Sequence, residues 1–258
     1  MPAEPSLQPA ATAGHFPARA APGRLVTDAP TRMFHWLFAL SFAGATLSAE
    51  SEHWRALHVT LGYTMAGLLV FRLLYGLFGP RQAGLGMLFR RLAGAPAWLR
   101  SVLQAIRQGS LAGIQWRLGQ NLLMALAIVA LLVLVAPLTL SGYAAYNEWG
   151  DFLGGDWIGE VHEVFGNALQ AVVLGHLALI AVVSGLRRKN LASPMLTGRV
   201  EGPGPDLVKN KHRWLAALML VAVMAFATWQ WRQSPGGLVP IQTGGDSAPA
   251  QHRDHDKD

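Results

Sequence analysis

The amino-acid sequence predicts an all-α integral membrane protein, built from a four-helix bundle and a fifth transmembrane helix at its C-terminal end. Hydrophobic residues make up 52% of the 258-residue chain and charged residues only 14%, whereas soluble domains carry about 25% charged residues. The apolar residues also gather in charge-free runs. These runs approach the roughly 20 residues that a helix needs to cross the hydrocarbon of a bilayer.

Five runs predict five spans. Uncharged stretches occupy residues 33–49, 56–71, 118–147, 164–186 and 214–231. They place the spans near 32–49, 57–78, 120–141, 160–186 and 213–231. One such run also fits the buried core helix of a soluble protein, but five in one chain do not. The chain has no cysteine, which excludes disulfides, thiolate-bound metal clusters and cofactors attached through a C-x-x-C-H motif.

Loop charges orient the spans, because lysine and arginine accumulate on the cytoplasmic side of a membrane protein. The N-terminal segment, the second connection and the fourth connection together carry 16 of the 21 basic residues. The opposite connections are acidic and contain Glu50, Glu52, Glu148, Asp151, Asp156, Glu160 and Glu163. The N-terminus is therefore predicted to be cytoplasmic and the C-terminus to lie outside.

The chain ends are predicted to be disordered tails. Residues 1–30 are rich in alanine and proline, with no secretory signal expected, and residues 233–258 are polar and rich in glycine, proline and aspartate. Between them we expect a transmembrane domain at 31–200, then a linker and the fifth helix at 201–232. Residues 96–107 alternate arginines with apolar residues at helical spacing, which predicts a short helix on the inner leaflet.

Four of the nine histidines lie within predicted spans, where ionisable side chains are costly and usually functional. His35 lies just inside the cytoplasmic end of the first span, and His58 lies just inside the outer end of the second. His162 and His176 lie on the fourth span, 14 residues apart. Fourteen residues return a helix to within about 40° of the same face and rise about 21 Å. His162 therefore matches His58 in depth, and His176 matches His35.

Two facing histidine pairs about 20 Å apart predict two six-coordinate haem irons, which bind imidazole through one ring nitrogen. Zinc would require a tighter cluster of three or four ligands. A proton relay would require a continuous polar chain with carboxylates, which the spans lack. Gly62 and Gly166 each follow an outer histidine by four residues and leave room for a porphyrin plane, although close helix packing explains them equally well.

Arg32 and Arg72 are candidate contacts for a haem propionate. Arg72 is the one charge inside a span, and it follows His58 by 14 residues, at the depth of His35. Arg32 precedes His35 by three residues. Both side chains also fit a second role, in which they extend to the inner headgroups, and for Arg72 this second interpretation is slightly favoured.

At these residues the chain resembles the bacterial cytochrome b561 and nickel-hydrogenase b-type cytochrome group. The stretches that carry the resemblance are Asp28–Trp36, His58–Gly62, Phe71–Gly79, Val161–His176 and Ser184–Arg199. The similarity covers about 25–200. It implies a four-helix core in the bacterial inner membrane, with two b-type haems held by His35, His58, His162 and His176. It also implies electron transfer between a quinone pool and a redox partner.

Two features depart from this group. Trp116–Asn121 stands where many hydrogenase cytochromes carry a histidine–asparagine–proline–leucine–glycine stretch, and the fifth span exceeds the four-helix unit. The partner protein is therefore left open between a hydrogenase-like subunit and a c-type cytochrome.

Electron transfer by a respiratory subunit is the favoured function, ahead of a stand-alone enzyme. The alternative is a quinol-dependent oxidoreductase that acts directly on a small oxidant such as superoxide. An anion would be drawn in by a basic outer pocket, whereas the outer loops are acidic. A transporter or a membrane anchor is the third candidate, but the sequence shows no inverted repeat and no pair of broken helices.

Overall fold

The computed structural model describes residues 23–153, 155 and 157–234. In chain order its elements are β1 (Arg24–Leu25), α1 (Ala29–Ser48), α2 (Arg55–Phe78), α3 (Leu85–Leu92), α4 (Ala95–Gln108), α5 (Trp116–Tyr146), α6 (Gly150–Leu153), α7 (Trp157–Arg187), α8 (Ser193–Leu196), β2 (Arg199–Val200) and α9 (Arg213–Gln233). Single 3-10 turns at Glu52–Trp54 and Leu111–Gly113 precede α2 and α5. The prediction of an all-α membrane bundle is confirmed.

The five predicted spans coincide with α1, α2, α5, α7 and α9, and every end agrees to within five residues. Among the described residues, four helices are long and apolar enough to cross a membrane, namely Glu52–Phe78, α5, α7 and α9. Helix α1 has 20 residues but is less apolar, because Arg32 and His35 lie in its first two turns. Since α1 packs against both α2 and α9, we retain its crossing as a prediction.

The bundle consists of two closely packed helix pairs, α1 with α2 and α5 with α7, which are joined where α2 packs on α5. Helix α9 lies outside these four helices, along α1 and to a lesser extent along α2. Met65, Leu69, Val135 and Leu169 are buried together where α2, α5 and α7 meet. Leu169 is seven residues from both His162 and His176, so this apolar cluster lies between the two depths at which the histidines occur.

A cap at the end of the bundle where α1 begins joins the start of α1 to the segment that follows α7. Strand β1 pairs antiparallel with β2, and the carbonyl of Gly198 accepts hydrogen bonds from the amides of Val26 (2.8 Å) and Thr27 (3.1 Å). The amide of Leu25 donates to Oδ1 of Asp206 at 2.6 Å. Residues 24–30, which were predicted to belong to the disordered tail, are thus part of the folded cap and of the start of α1. The remaining predicted tail residues, 1–22 and 235–258, lie outside the described residues.

Asp28 fixes the start of α1. Its side chain is only 2% exposed, and its Oδ1 accepts a hydrogen bond from the amide of Thr31 at 3.0 Å, which is the usual N-cap arrangement. Its Oδ2 accepts a second hydrogen bond from the Tyr75 hydroxyl at 2.7 Å. One carboxylate therefore caps α1 and ties it to the C-terminal end of α2.

Asp28→Ala is expected to destabilise the protein by roughly 2–3 kcal/mol, because it removes an N-cap worth about 1 kcal/mol and leaves the Tyr75 hydroxyl without its acceptor. Thermal unfolding in detergent, followed by circular dichroism, measures the effect. The matched control is Asp151→Ala, since Asp151 is exposed. Equal melting temperatures for the two variants would contradict the structural role of Asp28.

The long inner connection contains two short helices. Helix α4 covers the helix predicted at 96–107, and α3 is an additional element of eight residues. On α4 the exposed face carries Leu99, Leu103 and Ile106, whereas Ser101 and Ala105 are buried. An exposed apolar face beside a membrane bundle is typical of a helix that lies in the interface.

Candidate functional site

Three helices supply the four histidines of the candidate site. His35 lies on α1, His58 lies in the first turn of α2, and His162 and His176 lie on α7. The rings of His58 and His162 approach each other with centroids 6.0 Å apart and planes inclined by 80°. His35 and His176 lie close enough for a charge on one ring to act on the other. The structure thus brings together the same two pairs that agree in predicted depth.

Backbone carbonyls orient the rings of the outer pair. His58 Nδ1 lies 2.9 Å from the carbonyl oxygen of Ala45 on α1, and His162 Nδ1 lies 3.0 Å from that of Leu138 on α5. A carbonyl only accepts hydrogen bonds, so Nδ1 carries the proton in both rings and Nε2 carries the free lone pair. This is the arrangement by which proteins commonly orient a histidine that binds a metal.

Gly142 on α5 makes room for the ring of His162. A Cβ atom at this position would lie 2.7 Å from Cε1 and 3.0 Å from Nδ1 of His162, which is closer than packed atoms approach. Ser141, the preceding residue, places its Oγ 3.4 Å from the same Nδ1. Gly142 carries no signal in the sequence, because the third span has no histidine and a glycine in a membrane helix has many uses.

Open space lies beside the two glycines that follow the outer histidines. A Cβ atom at Gly62 would meet no atom within 4 Å, and one at Gly166 would meet only Leu138 Cδ1 at 3.8 Å. Neither glycine is therefore a point of tight helix contact. This observation favours the interpretation in which they leave room for a flat group.

The inner pair, His35 and His176, lies in a different environment. Nδ1 of His35 and Nδ1 of His176 are buried and, among the described residues, make no hydrogen bond. Arg72 Nη1 is also buried without a partner in this part of the chain, and the Arg72 charge lies near that of Asp28. A buried guanidinium with an unused donor fits a propionate or another anionic group nearby.

Arg32, the other predicted propionate contact, has partners within the cap. Its guanidinium donates to the carbonyl oxygens of Met195, at 3.4 Å, and Leu196. The indole of Trp36 donates to the same Met195 carbonyl at 3.0 Å. Part of the Arg32 guanidinium is therefore hydrogen-bonded within the cap. Of the two arginines, Arg72 is the one with a buried nitrogen that has no partner among the described residues.

The spacing of the outer pair fits one iron between two imidazoles. A metal–nitrogen bond of about 2.0–2.1 Å, with the ring centroid about 1.2 Å beyond it, places the two centroids about 6.4–6.6 Å apart. The observed value is 6.0 Å, so the rings need to separate by only about 0.5 Å to hold one iron. Across the described residues, no group of three or more metal-binding side chains occurs, so the histidines are arranged in pairs.

An apolar layer separates the two pairs. Phe42, Met65 and Leu169 each follow a candidate ligand by seven residues, and all three belong to the central packing of the bundle. Seven residues rise about 10.5 Å along a helix, which is half the distance between the histidines of α7. The site is thus two histidine-lined spaces with packed side chains between them.

A membrane helix bundle whose facing histidines are paired across its interior is the fold and site of a membrane b-type cytochrome. The family described as prokaryotic cytochrome b561, a nickel-hydrogenase cytochrome b model, matches residues 26–198, about two thirds of the chain. The chain belongs to this family, which confirms the resemblance and makes the protein a b-type cytochrome that acts in electron transfer. No curated protein and no solved structure gives a significant match.

The ends of the family match meet in the cap. The match begins at Val26 and ends at Gly198, and the amide of Val26 donates to the carbonyl of Gly198 at 2.8 Å. The family unit is therefore closed by a direct hydrogen bond between its terminal residues. Helix α9 lies beyond the match and is an addition to that unit.

Proposed function

We propose that this protein is a dihaem cytochrome that transfers electrons across the cytoplasmic membrane, between a quinone pool and a redox partner protein. The observation that carries the proposal is the occurrence of two histidine pairs at two depths, with the two histidines of α7 14 positions apart. Haem bound between each pair would supply reversible one-electron chemistry. His35 with His176 would hold the inner haem, and His58 with His162 the outer one.

The side chains explain why such a site would carry electrons and not bind oxygen. Each haem would be held by two histidines of the chain, which would leave no place at the iron for a small ligand such as oxygen. Hydrogen bonds from Nδ1 to backbone carbonyls hold the outer rings in place. The packed layer at Phe42, Met65 and Leu169 excludes water between the two sites.

The outer face supports a basic protein as the partner on that side. Glu148, Asp151, Glu160 and Glu163 are exposed around the outer ends of α5 and α7. Arg55, the basic residue of the outer loop, lies 3.5 Å from Glu52 in a salt bridge, so its charge is partly offset. Acidic surfaces attract basic proteins and repel anions. We therefore favour a c-type cytochrome over superoxide, with a hydrogenase-like subunit as the other candidate partner.

The proposed orientation places the cap in the cytoplasm. The cap and the inner connection carry most of the arginines and lysines, and the opposite loops are acidic, in agreement with the positive-inside rule. The N-terminus then lies in the cytoplasm and the end of α9 lies outside.

Purified protein tests the proposal directly. We expect a reduced-minus-oxidised spectrum of b-type haem with two haems per chain, and reduction of both haems by a quinol. The reduced protein should be reoxidised by a soluble c-type cytochrome and not by superoxide. A folded protein with one haem or none would contradict the dihaem proposal, and rapid reoxidation by superoxide would favour the enzyme alternative.

Arg72 is expected to raise the reduction potential of the inner haem, because a fixed positive charge stabilises the reduced iron. With an effective dielectric constant of about 20, a charge about 8–15 Å away contributes about 1–2 kcal/mol, which is roughly 40–90 mV for a one-electron couple. Arg72→Met should therefore lower one of two potentials in a spectroscopic redox titration. Arg100→Met, on the exposed surface of α4, is the control. Unchanged potentials would indicate that Arg72 only reaches towards the headgroups.

A further inference from the structure

A long apolar groove runs between α2 and α9. One cavity of about 500 Å³ lies along the middle of the two helices, where Gly67 and Ala222 are among its lining residues. A second cavity of about 400 Å³ continues towards the cytoplasmic end, and the two share Phe71 and Leu215 as walls. Since α9 contacts α2 less closely than it contacts α1, the groove lies where these two helices diverge.

The chemistry of the groove changes along its length. The middle part is lined almost entirely by apolar side chains. The cytoplasmic part includes Tyr75 and His212, which can form hydrogen bonds. None of the residues that line either cavity is Asp, Glu, Lys or Arg. A ligand with a long apolar tail and an uncharged polar head matches this distribution.

Two features give the polar end a defined geometry. The Tyr75 hydroxyl is held by Asp28 at 2.7 Å, so its hydrogen is committed and its oxygen remains able to accept a hydrogen bond. His212 has φ +43° and ψ +41° at the start of α9, a left-handed conformation that is costly for a residue other than glycine. Strained backbone of this kind is concentrated at functional sites.

We propose that this groove binds an isoprenoid quinone, with the ring between Tyr75 and His212 and the tail along the apolar middle part. His212 can donate to a ring carbonyl of the quinone, and the Tyr75 oxygen can accept from a hydroxyl of the quinol. The cavity volumes fall within the roughly 300–1,000 Å³ that is usual for small-molecule sites. The inference rests on the proposed exchange of electrons with a quinone, and it adds the position at which the quinone binds.

The depth of the polar end agrees with that of the inner histidine pair. Tyr75 lies one turn beyond Arg72, which is 14 residues from His58 and therefore at the level of His35 and His176. The groove lies on the α9 side of α2, while the histidines face the bundle interior. Packed helix axes are about 8–10 Å apart, so a single helix layer separates the proposed ring position from the inner pair.

Photoaffinity labelling tests the site in the full-length protein in detergent. The probe is a short-chain ubiquinone that carries an azido group, and labelled peptides are identified by mass spectrometry. We expect the label on α2 and α9, and at least a tenfold loss of labelling in Ala222→Phe, which fills the middle part of the groove. Ala225→Phe is the matched control, since Ala225 is exposed on α9 and does not line the groove.

Two further variants distinguish a filled groove from a misfolded protein. Gly67→Leu fills the groove from α2, where a Cβ atom would meet nothing within 4 Å, and it should reduce labelling as Ala222→Phe does. His212→Leu should weaken labelling several-fold, with the haem spectrum and melting temperature unchanged. Equal labelling of the filled variants and the control would overturn the site.

The outcomes separate this inference from the proposed function. Labelling at other helices, in a protein whose two haems are still reduced by quinol, would overturn the groove and leave the function intact. Labelling of the groove in a protein without haem would support the site and overturn the function. Tightly bound phospholipid that excess quinone does not displace would assign the groove to a structural lipid and overturn the proposal.

Discussion

Replacing His35 and His176 together by alanine is expected to leave one haem per chain, whereas replacing His35 and His58 together is expected to leave none. The reason is the pairing: His35 and His176 are near enough for the charge of one ring to act on the other, and the ring centroids of His58 and His162 lie 6.0 Å apart. The first double variant would empty only the inner site. The second removes one histidine from each pair, and we expect that a single remaining histidine would not hold a haem.

Haem-to-protein ratios and reduced-minus-oxidised spectra of membranes and purified protein measure this result. The double variant in which His58 and His162 are both replaced by alanine should also retain one haem. Its spectrum should differ from that of the variant in which His35 and His176 are replaced. His53→Ala is the control, because His53 is exposed in the outer loop. Loss of both haems in every double variant would contradict the proposal that the two histidine pairs bind haem independently. Retention of two haems in any double variant would contradict it as well.

Gly142→Val is expected to remove the outer haem and leave the inner one in place. A Cβ atom at this position would lie 2.7 Å from Cε1 of His162, so the ring must move away from α5. The movement would break the 3.0 Å hydrogen bond between His162 Nδ1 and the Leu138 carbonyl, which orients the ring. Overpacking of this kind also costs about 1–3 kcal/mol of stability.

The haem-to-protein ratio should fall from two to one in Gly142→Val, with the spectrum of the remaining haem matching that of the His58 and His162 double variant. Gly185→Val on α7 is the matched control, since a Cβ atom there would meet nothing within 4 Å. If Gly142→Val kept both haems with unchanged potentials, the contact between α5 and His162 would have no role in positioning the ligand.

Much of the fold was predictable from the sequence because membrane spans are a one-dimensional signal. Charge-free runs located five helices, and the 14-residue spacing of His162 and His176 set two depths on one helix face. Helix α4 was predictable for the same reason, since its pattern repeats at helical spacing. Helix α3 was not, because eight residues with a single buried leucine form too short a pattern.

The cap illustrates what local pattern does not show. Strands β1 and β2 have two residues each, and their partners are separated by about 175 residues in sequence. Nothing in either segment is typical of a strand. Only the return of the chain after α7 to the start of α1 brings them together, and the same return gives Arg32 its partners at Met195 and Leu196.

The sequence by itself determined the membrane class, the five long helices and the four histidines, since each of these follows from composition and spacing along one chain. The tertiary structure alone decided which side chains surround them. Gly142 contacts His162, Ala45 and Leu138 orient the outer rings, and Arg72 keeps a buried unused donor. These contacts join different helices, and the rotation of one helix against another is set by packing that no single helix encodes. The same packing leaves the groove between α2 and α9.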